Sequence, residues 1–370
     1  MFHLYLTLAY IIPNIYVFFR IKSLFISKAY RKWYILIYLL IAGIYPLAQS
    51  FSHEKMNGAM LLFSAIANYI LPFFLYFFLS VVLIDLFLLL NRWVGLLNQE
   101  TLKRFSFRFY TLLTIIVLSI MVVIGGVINL NTIRVSEYSI SVPKKNSKRK
   151  HLRVAFVADM HIQQNTRLHF IEQFVSKVNA MHLDLMLFGG DIVEGDSDKE
   201  TNEAIEKVLR TLNAKYGSYG VIGNHEFYGG MKLDAFFQKA GIKLLFDTLV
   251  KIDDSFYLAG RLDAHFKRRK DLNAILGSKA LDLPVLLLDH RPNELQQVSK
   301  SGADVQFSGH THNGQLFPFN LIMRSIYELP WGYKKIANTH FFVTSGLRLW
   351  GPPVKTAGKS EIMLVDIAFE

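Results

Sequence analysis

Four apolar stretches in the first third of the chain constrain its fold more than any other feature of the sequence. A helix needs about 20 mostly apolar residues to cross a bilayer, and these stretches cover roughly residues 2–19, 33–48, 59–90 and 109–128. The first lacks the basic start and small-residue cleavage site of a signal peptide, so we interpret it as a span. The sequence therefore predicts an all-α transmembrane region of about four helices over residues 1–130.

Basic residues in the loops predict the orientation of these spans, because cytoplasmic loops are rich in Lys and Arg. The second loop has only Lys55, whereas the first and third loops are basic. Their basic residues are Arg20, Lys22, Lys28, Arg31 and Lys32, then Arg92, Lys103, Arg104 and Arg108. With four spans in a bacterial plasma membrane, we expect both termini and everything after the last span to lie outside the cytoplasm. A basic run from Lys144 to Lys150 argues the other way, near the limit of the distance over which loop charge counts.

The formal net charge is +12, and the chain contains no cysteine. We attribute the charge to an anionic membrane surface, since many basic residues flank the apolar stretches and no nucleic-acid-binding motif accompanies them. We therefore expect the lipid bilayer as a partner and no nucleic acid, while the oligomeric state stays open. Without cysteine, a metal ion must be held by His, Asp, Glu or Asn, which suit Mn, Fe, Zn or Co.

From about Leu152 onward, short apolar strands alternate with amphipathic helices, which favours an α/β layered domain. The predicted helices cover roughly 167–181 and 199–212. The predicted strands cover 152–158, 185–188, 219–222, 256–259, 285–288, 305–307, 341–344 and 363–368. We interpret residues 131–151 as a basic linker between the transmembrane region and a domain over residues 152–370.

Polar side chains follow five of the predicted strands, at the point where each strand ends. They are Asp159 and His161, Asp191, Asn224 and His225, His290, and His310 and His312. Because the carboxyl ends of strands in layered α/β folds form the crevice where ligands bind, we expect these side chains to converge. Asp191, a lone carboxylate after two glycines, is suited to bridge two cations about 3.5–4 Å apart.

The motifs at these strand ends carry a resemblance to a known family. The ordered set Asp159-x-His161, Gly190-Asp191, Gly223-Asn224-His225-Glu226, His290 and Gly309-His310-x-His312 resembles the calcineurin-like metallophosphoesterases, from about Leu152 to the C-terminus. The segments 344–347 and 350–355 are similar to the branch in which a membrane segment precedes the phosphoesterase domain. Two positions depart from the family pattern: Ala158 stands where Ser is common, and Lys355 where Arg is expected.

The resemblance implies a four-layer αββα sandwich and two divalent or trivalent metal ions. It assigns Asp159, His161 and His312 to the first ion. It assigns Asn224, His290 and His310 to the second ion, with Asp191 as the bridge between the two. It also implies that His225 faces the phosphate as a proton donor or charge stabiliser.

These assignments predict a membrane-anchored hydrolase that cleaves a phosphate ester or phosphoanhydride of a phosphorylated small molecule or lipid. A hydroxide held between the ions would attack phosphorus in line. Arg348 and Lys355 are candidate contacts for the substrate anion, with a solvated basic face as an equal interpretation. The alternative function is a membrane receptor or scaffold whose phosphoesterase-like domain binds without catalysis; the complete ligand set favours the enzyme. The sequence leaves the substrate and the identity of the metal undetermined.

Overall fold

The computed structural model describes residues 2–50, 58–163, 166–194, 199–228, 233–277 and 281–370. Two compact units are present. The first comprises Met1–Ile128 with Gly351–Thr356, and the second comprises Asn129–Trp350 with Ala357–Glu370. The second unit therefore begins well before Leu152, and a short late segment of the chain belongs to the first unit.

The first unit is built from helices. They are α1 Phe2–Leu24, α2 Arg31–Ser50, α3 Gly58–Val94, α4 Gln99–Lys103 and α5 Phe105–Asn131. Their shared core contains Val17, Ile21, Phe77, Val81 and Ile115, contributed by α1, α3 and α5. Many other large apolar side chains of α2, α3 and α5 are exposed, which is the distribution expected of helices that face lipid.

Among the described residues, three helices are long and apolar enough to cross a membrane: Lys28–Ser50, Gly58–Val94 and Phe105–Asn131. The predicted count of about four spans is therefore wrong. The predicted span over residues 2–19 lies in α1, which carries Arg20 and Lys22 near its end and is not among these three helices. Lys55, in the predicted second loop, lies outside the described residues.

The segment Gly351–Thr356 packs within the helical unit at Gly126 of α5. The Lys355 N–H donates to the Gly126 carbonyl at 3.2 Å. A Cβ at Gly126 would lie 2.5 Å from Val354 Cγ1, closer than carbon atoms approach, so only glycine admits the segment here.

The second unit contains two six-stranded mixed sheets. The first has the order β1 Ile133–Val142, β12 Ser360–Phe369, β2 His151–Val157, β3 Leu185–Phe188, β4 Ser218–Gly220 and β5 Ile242–Leu244. The second has the order β10 Gly332–Ile336, β11 Thr339–Val343, β9 Val305–Ser308, β8 Val285–Leu288, β7 Phe256–Gly260 and β6 Thr248–Ile252. The runs β2–β3–β4 and β7–β8–β9 are parallel, so their carboxyl ends point the same way within each sheet.

Residues 131–151 are not a linker throughout, because β1 occupies Ile133–Val142 and pairs in parallel with β12. The strand lies at the edge of its sheet, and Arg134, Glu137 and the serines on it made the segment read as polar. Edge strands often carry charge on their open side, which explains why the polar pattern was misleading.

The remaining helices of this unit are α6 Leu168–Asn179, α7 Lys199–Leu209, α8 Asn224–Tyr228, α9 Leu233–Lys239, α10 Leu272–Leu276, α11 Leu295–Val298 and α12 Phe319–Ile326. One apolar core draws side chains from both sheets, with Phe156 and Phe307 in contact at 5.1 Å between ring centroids. A second core joins the first sheet to α6, α7 and α9, and a third joins the second sheet to α10 and α11. The two sheets therefore pack face to face, and their strand ends meet along one rim.

Candidate metal centre

Five strands deliver the predicted ligands to one rim of the second unit. Asp159 and His161 follow β2, Asp191 follows β3, and Asn224 follows β4 at the start of α8. In the other sheet, His290 follows β8, and His310 and His312 follow β9. Both sheets thus contribute side chains to the same place.

Strained backbone marks this rim. Five ligand candidates have positive φ angles, a conformation that non-glycine residues rarely adopt. They are Asp159 (φ 56), His161 (φ 44), Asp191 (φ 53), His310 (φ 72) and His312 (φ 48). Such strain costs on the order of 1–3 kcal/mol per residue and clusters at functional sites. The folded core therefore holds these side chains in positions that local preference alone would not choose.

Three overlapping groups of potential ligands form on the rim, each with ligand atoms within 4.8 Å of one another. They are Asp159, His161 and His312; His161, Asp191 and His225; and Asp191, His290 and His310. Asp191 belongs to two groups, one of which shares His161 with the first. The geometry therefore suits two neighbouring cations with Asp191 between them.

Hydrogen bonds from outside the groups turn the imidazoles inward. His161 Nδ1 lies 2.5 Å from a Glu194 oxygen, and its Nε2 lies 3.2 Å from His312 Nε2. His290 Nδ1 donates to the Gly189 carbonyl at 2.7 Å. Carboxylate and carbonyl partners of this kind commonly fix the tautomer and ring orientation of metal-binding histidines.

The buried donor atoms fit a cation. His290 Nε2 is buried, makes no hydrogen bond and lies 3.2 Å from Asp191 Oδ2. A buried polar atom without a hydrogen bond is costly, whereas an imidazole nitrogen beside a carboxylate oxygen is well placed to share one positive ion with it. Nitrogen and carboxylate donors without thiolate suit Mn, Fe, Zn or Co.

The protonation of these groups shows where positive charge belongs. Burial disfavours the charged form of His290, but Asp191 and Asp159 outweigh burial and raise its pKa to about 10. Burial raises the pKa of Asp159 to about 6. Burial and the nearby charge of His290 lower the pKa of His310 to about 3, which leaves that imidazole neutral and able to ligate. A proton on His290 thus occupies the position where a cation would bind.

Glu194 is a site residue that the sequence analysis missed. Its carboxylate holds His161 at 2.5 Å and His225 Nδ1 at 2.9 Å. Burial opposes ionisation of Glu194, yet both histidines bring its pKa down to about 2. The side chain of His225 is 19% exposed, whereas those of His161 and His290 are fully buried. In the sequence, Glu194 is marked only by its position three residues after Asp191.

Glu226 organises the loops that carry the ligands. Its two buried oxygens accept backbone N–H groups of Asp191, Ile192, Val193 and Gly223 at 2.5–3.1 Å. Glu226 therefore ties the loop after β3 to the loop after β4.

A second network lies beside Asn224. Arg291 donates to Asn224 Oδ1 at 3.3 Å and to Asp263 Oδ2 at 2.7 Å. His265 joins through its Nδ1, 2.6 Å from Arg291, and Tyr228 contacts its Nε2 at 2.7 Å. No sequence motif marks this network, apart from the position of Arg291 directly after His290.

The two predicted substrate residues have different surroundings. The Arg348 guanidinium stacks over the Phe170 ring at 4.9 Å, and the Arg348 N–H donates to the Asp159 carbonyl at 2.9 Å. Lys355 is buried in the segment that packs at Gly126. Their role in substrate binding stays a prediction.

Comparison with known proteins agrees with the geometry of the site. Residues 152–314 match the family model described as calcineurin-like phosphoesterase. An uncharacterized metallophosphoesterase of Aquifex aeolicus is 30% identical over 259 residues, which cover 67% of this chain and 97% of that protein. An uncharacterized metallophosphoesterase of Helicobacter pylori strain 26695 is 31% identical over 226 residues, 58% of this chain and 59% of the relative.

Relatives with membrane segments also match. A protein of Danio rerio named transmembrane protein with metallophosphoesterase domain is 28% identical over 363 residues, which cover 91% of this chain and 80% of that protein. The family prediction is therefore confirmed, although the chain spans only about three fifths of the length of the Helicobacter pylori relative. The chain belongs to the calcineurin-like metallophosphoesterase family.

Proposed function

We propose that this protein is a membrane-anchored phosphoesterase with two metal ions, and that it hydrolyses a phosphate ester or phosphoanhydride of a small molecule or lipid. The observation that carries the proposal is the set of three overlapping ligand groups, in which Asp191 is common to two. The four-layer αββα arrangement fits this proposal, since helices pack on the outer face of each of the two stacked sheets.

The ligand assignment follows the groups. Asp159, His161 and His312 would hold one ion, and His290, His310 and Asn224 the other, with Asp191 shared. When bound, the ions supply Lewis acidity and an activated water for attack on phosphorus. The protein's own contribution is to fix the ligand positions through the Glu194, Gly189 and Glu226 contacts.

His225 is the proposed acid for the leaving oxygen. Its Nδ1 contacts Glu194 at 2.9 Å, which leaves Nε2 for the substrate. Burial lowers its proton affinity, but Glu194 and Asp191 outweigh burial and raise the pKa of His225 above its ordinary value. This shift favours the protonated ring, which is the form that can donate to a leaving oxygen.

The ligand assignment is tested on the full chain in detergent, with ions removed and Mn, Fe, Zn or Co then restored. Asp191→Asn should lose bound metal and hydrolysis of p-nitrophenyl phosphate together. Asp366→Asn is the matched control, because Asp366 pairs with Arg153 at the surface of the domain. Full activity in Asp191→Asn would refute the assignment.

The role of His225 has its own test. His225→Ala should bind metal normally and lose about 10²–10⁴-fold in rate on an alkyl phosphate, the usual range for general acid catalysis. The loss should be smaller on p-nitrophenyl phosphate, whose leaving group needs no proton. An equal loss on both substrates would exclude the acid role.

The alternative function is a receptor or scaffold that binds without catalysis. It would be supported if the metal-loaded chain hydrolysed none of a panel of monoesters, diesters and lipid pyrophosphates. The complete set of ligand candidates on the rim favours the enzyme over this alternative.

We also propose that the domain faces away from the cytoplasm. The last turn of α3 carries Arg92, and the segment between α3 and α5 carries Lys103 and Arg104, which favours a cytoplasmic position for this end of α3. α5 then leads to the opposite side, whether or not α1 spans the membrane. The chain has no cysteine, so single cysteines are specific probes: Gln173→Cys should react with an impermeant maleimide on intact cells and Glu100→Cys should not. The reverse pattern would overturn the orientation.

A further inference from the structure

Helix α12 exposes the face that a helix normally buries. Phe319, Ile322, Met323 and Ile326 follow the i, i+3, i+4, i+7 spacing of one apolar stripe. None of the residues of α12 is buried, and Phe319, Ile322 and Ile326 are 41%, 51% and 62% exposed. Arg324 lies on the opposite side of the helix and is also exposed. An exposed apolar stripe beside a polar face is typical of helices that lie in a membrane interface.

The position of α12 places this stripe beside the metal ligands. A Cβ at Gly314 would lie 2.6 Å from Asn320 N, so the start of α12 packs directly on the turn that contains His312. At the other end, the Tyr327 ring lies 6.4 Å from the His310 ring. Whatever covers the stripe therefore lies next to the rim where the ligands converge.

Contacts within the second unit link the region after α12 to the point where the chain leaves α5. The buried Glu361 side chain accepts Trp331 Nε1–H and Ser136 Oγ–H, both at 2.6 Å. Trp331 follows α12 closely in sequence, and Ser136 lies near the start of β1. Only Thr132 separates α5 from β1. One carboxylate thus ties the loop after α12 to the strand that follows α5.

Basic side chains lie at the start of β1 and at Trp331. Arg134 contacts the Asn129 side chain at 2.6 Å, and Lys359 Nζ lies 5.6 Å from the centre of the Trp331 ring. With Arg324 on the polar face of α12, these cations complement an anionic lipid surface. Tryptophan is itself enriched at the headgroup level of membranes.

We propose that α12 lies in the interfacial layer of the bilayer, with the stripe of Phe319, Ile322, Met323 and Ile326 against lipid. The occupant of this surface is the bilayer that holds the chain's own apolar helices. The metal rim then opens next to the headgroup layer, where phosphate groups of lipids reside. The stripe is a lipid contact whether or not the rim is catalytic.

Single-cysteine labelling tests the proposal on the full chain, reconstituted in nanodiscs of phosphatidylethanolamine and phosphatidylglycerol. Ile322→Cys and Ile326→Cys carry an environment-sensitive fluorophore on the stripe, Arg324→Cys carries it on the opposite face of the same helix, and Gln173→Cys on α6 is the remote control. All four positions are exposed, so the labels are tolerated without repacking.

The stripe labels should show blue-shifted emission and lose fluorescence to spin-labelled lipids whose probe lies about 5–10 Å below the headgroups, the depth reached by interfacial helices. The labels at positions 324 and 173 should instead be quenched by aqueous iodide. Iodide quenching at positions 322 and 326 would overturn the proposal. So would cross-linking between two chains through these positions without lipid quenching, because a second copy would then cover the stripe. Since the readout is depth, it is independent of metal content and hydrolysis.

Discussion

Replacing Glu226 with Gln should loosen the backbone that carries Asp191. The Glu226 carboxylate is fully buried in the loop region: one oxygen accepts the N–H groups of Asp191 and Gly223, and the other accepts those of Ile192 and Val193. Burial and the charge of Asp191 raise the pKa of Glu226, while the backbone donors lower it. Both oxygens accept hydrogen bonds from backbone N–H groups. A protonated Glu226 would need an acceptor for its own O–H, so we treat the group as a carboxylate.

The magnitude follows from the number of donors left without a partner. Gln keeps one accepting oxygen and presents an NH₂ group in place of the other, so two buried N–H groups lose their acceptor. Each unsatisfied buried donor costs about 1–3 kcal/mol. The local opening free energy should therefore fall by roughly 2–6 kcal/mol, which corresponds to amide exchange faster by roughly 30-fold to 10⁴-fold.

Hydrogen exchange read by mass spectrometry measures this effect locally, which suits a chain with two units better than a single global transition. The peptide covering residues 188–194 should exchange faster in Glu226→Gln, and bound metal should decrease because Asp191 moves. Glu172→Gln is the matched control, since Glu172 is exposed on α6 and its nearest ionic partner is His169. Unchanged protection of 188–194 would show that the four hydrogen bonds do not hold this loop.

Three further predictions concern the surroundings of the ligands. Asp263 is fully buried, which by itself would raise its pKa, but the neighbouring Arg291 outweighs burial and lowers the pKa to about 2. Asp263→Asn should therefore destabilise the domain by about 3 kcal/mol. Because the folded pKa is depressed, the difference in denaturant stability should be constant above about pH 4 and shrink as pH falls toward 2. Gly309→Ala would place a Cβ 2.5 Å from Asp159 Oδ2, so metal affinity measured by equilibrium dialysis should fall while the fold survives. Metal uptake should release the proton held on His290, which makes the calorimetric heat depend on the ionisation enthalpy of the buffer and weakens binding as pH falls.

Much of the domain is readable from sequence because its strands are short, apolar and end in polar residues. The bounds of Leu185–Phe188 and Val285–Leu288 agree with prediction. The strand-end rule also placed all the ligand candidates on one rim. Buried parallel strands lack polar interruptions, so their ends are sharp in the sequence.

The features that sequence missed depend on tertiary contacts. β1 reads as a polar linker because one side of an edge strand is open to solvent. Glu194 and Arg291 carry no motif, and their roles follow only from the histidines and amide that the fold brings to them. The stripe of α12 has the pattern of a buried helix, and only the exposed fractions of its side chains reveal that no described residue covers it.

The division of the ligands between two sheets has a mechanical consequence. Asp159, His161 and Asp191 extend from one sheet, and His290, His310 and His312 extend from the other. Bound cations would link the two sheets at the rim of the sandwich. The Phe156–Phe307 contact in the core beneath the rim sets the distance between the sheets. A substitution at Phe156 or Phe307 that changes the distance between the sheets would therefore change the metal affinity, although neither residue contacts a ligand.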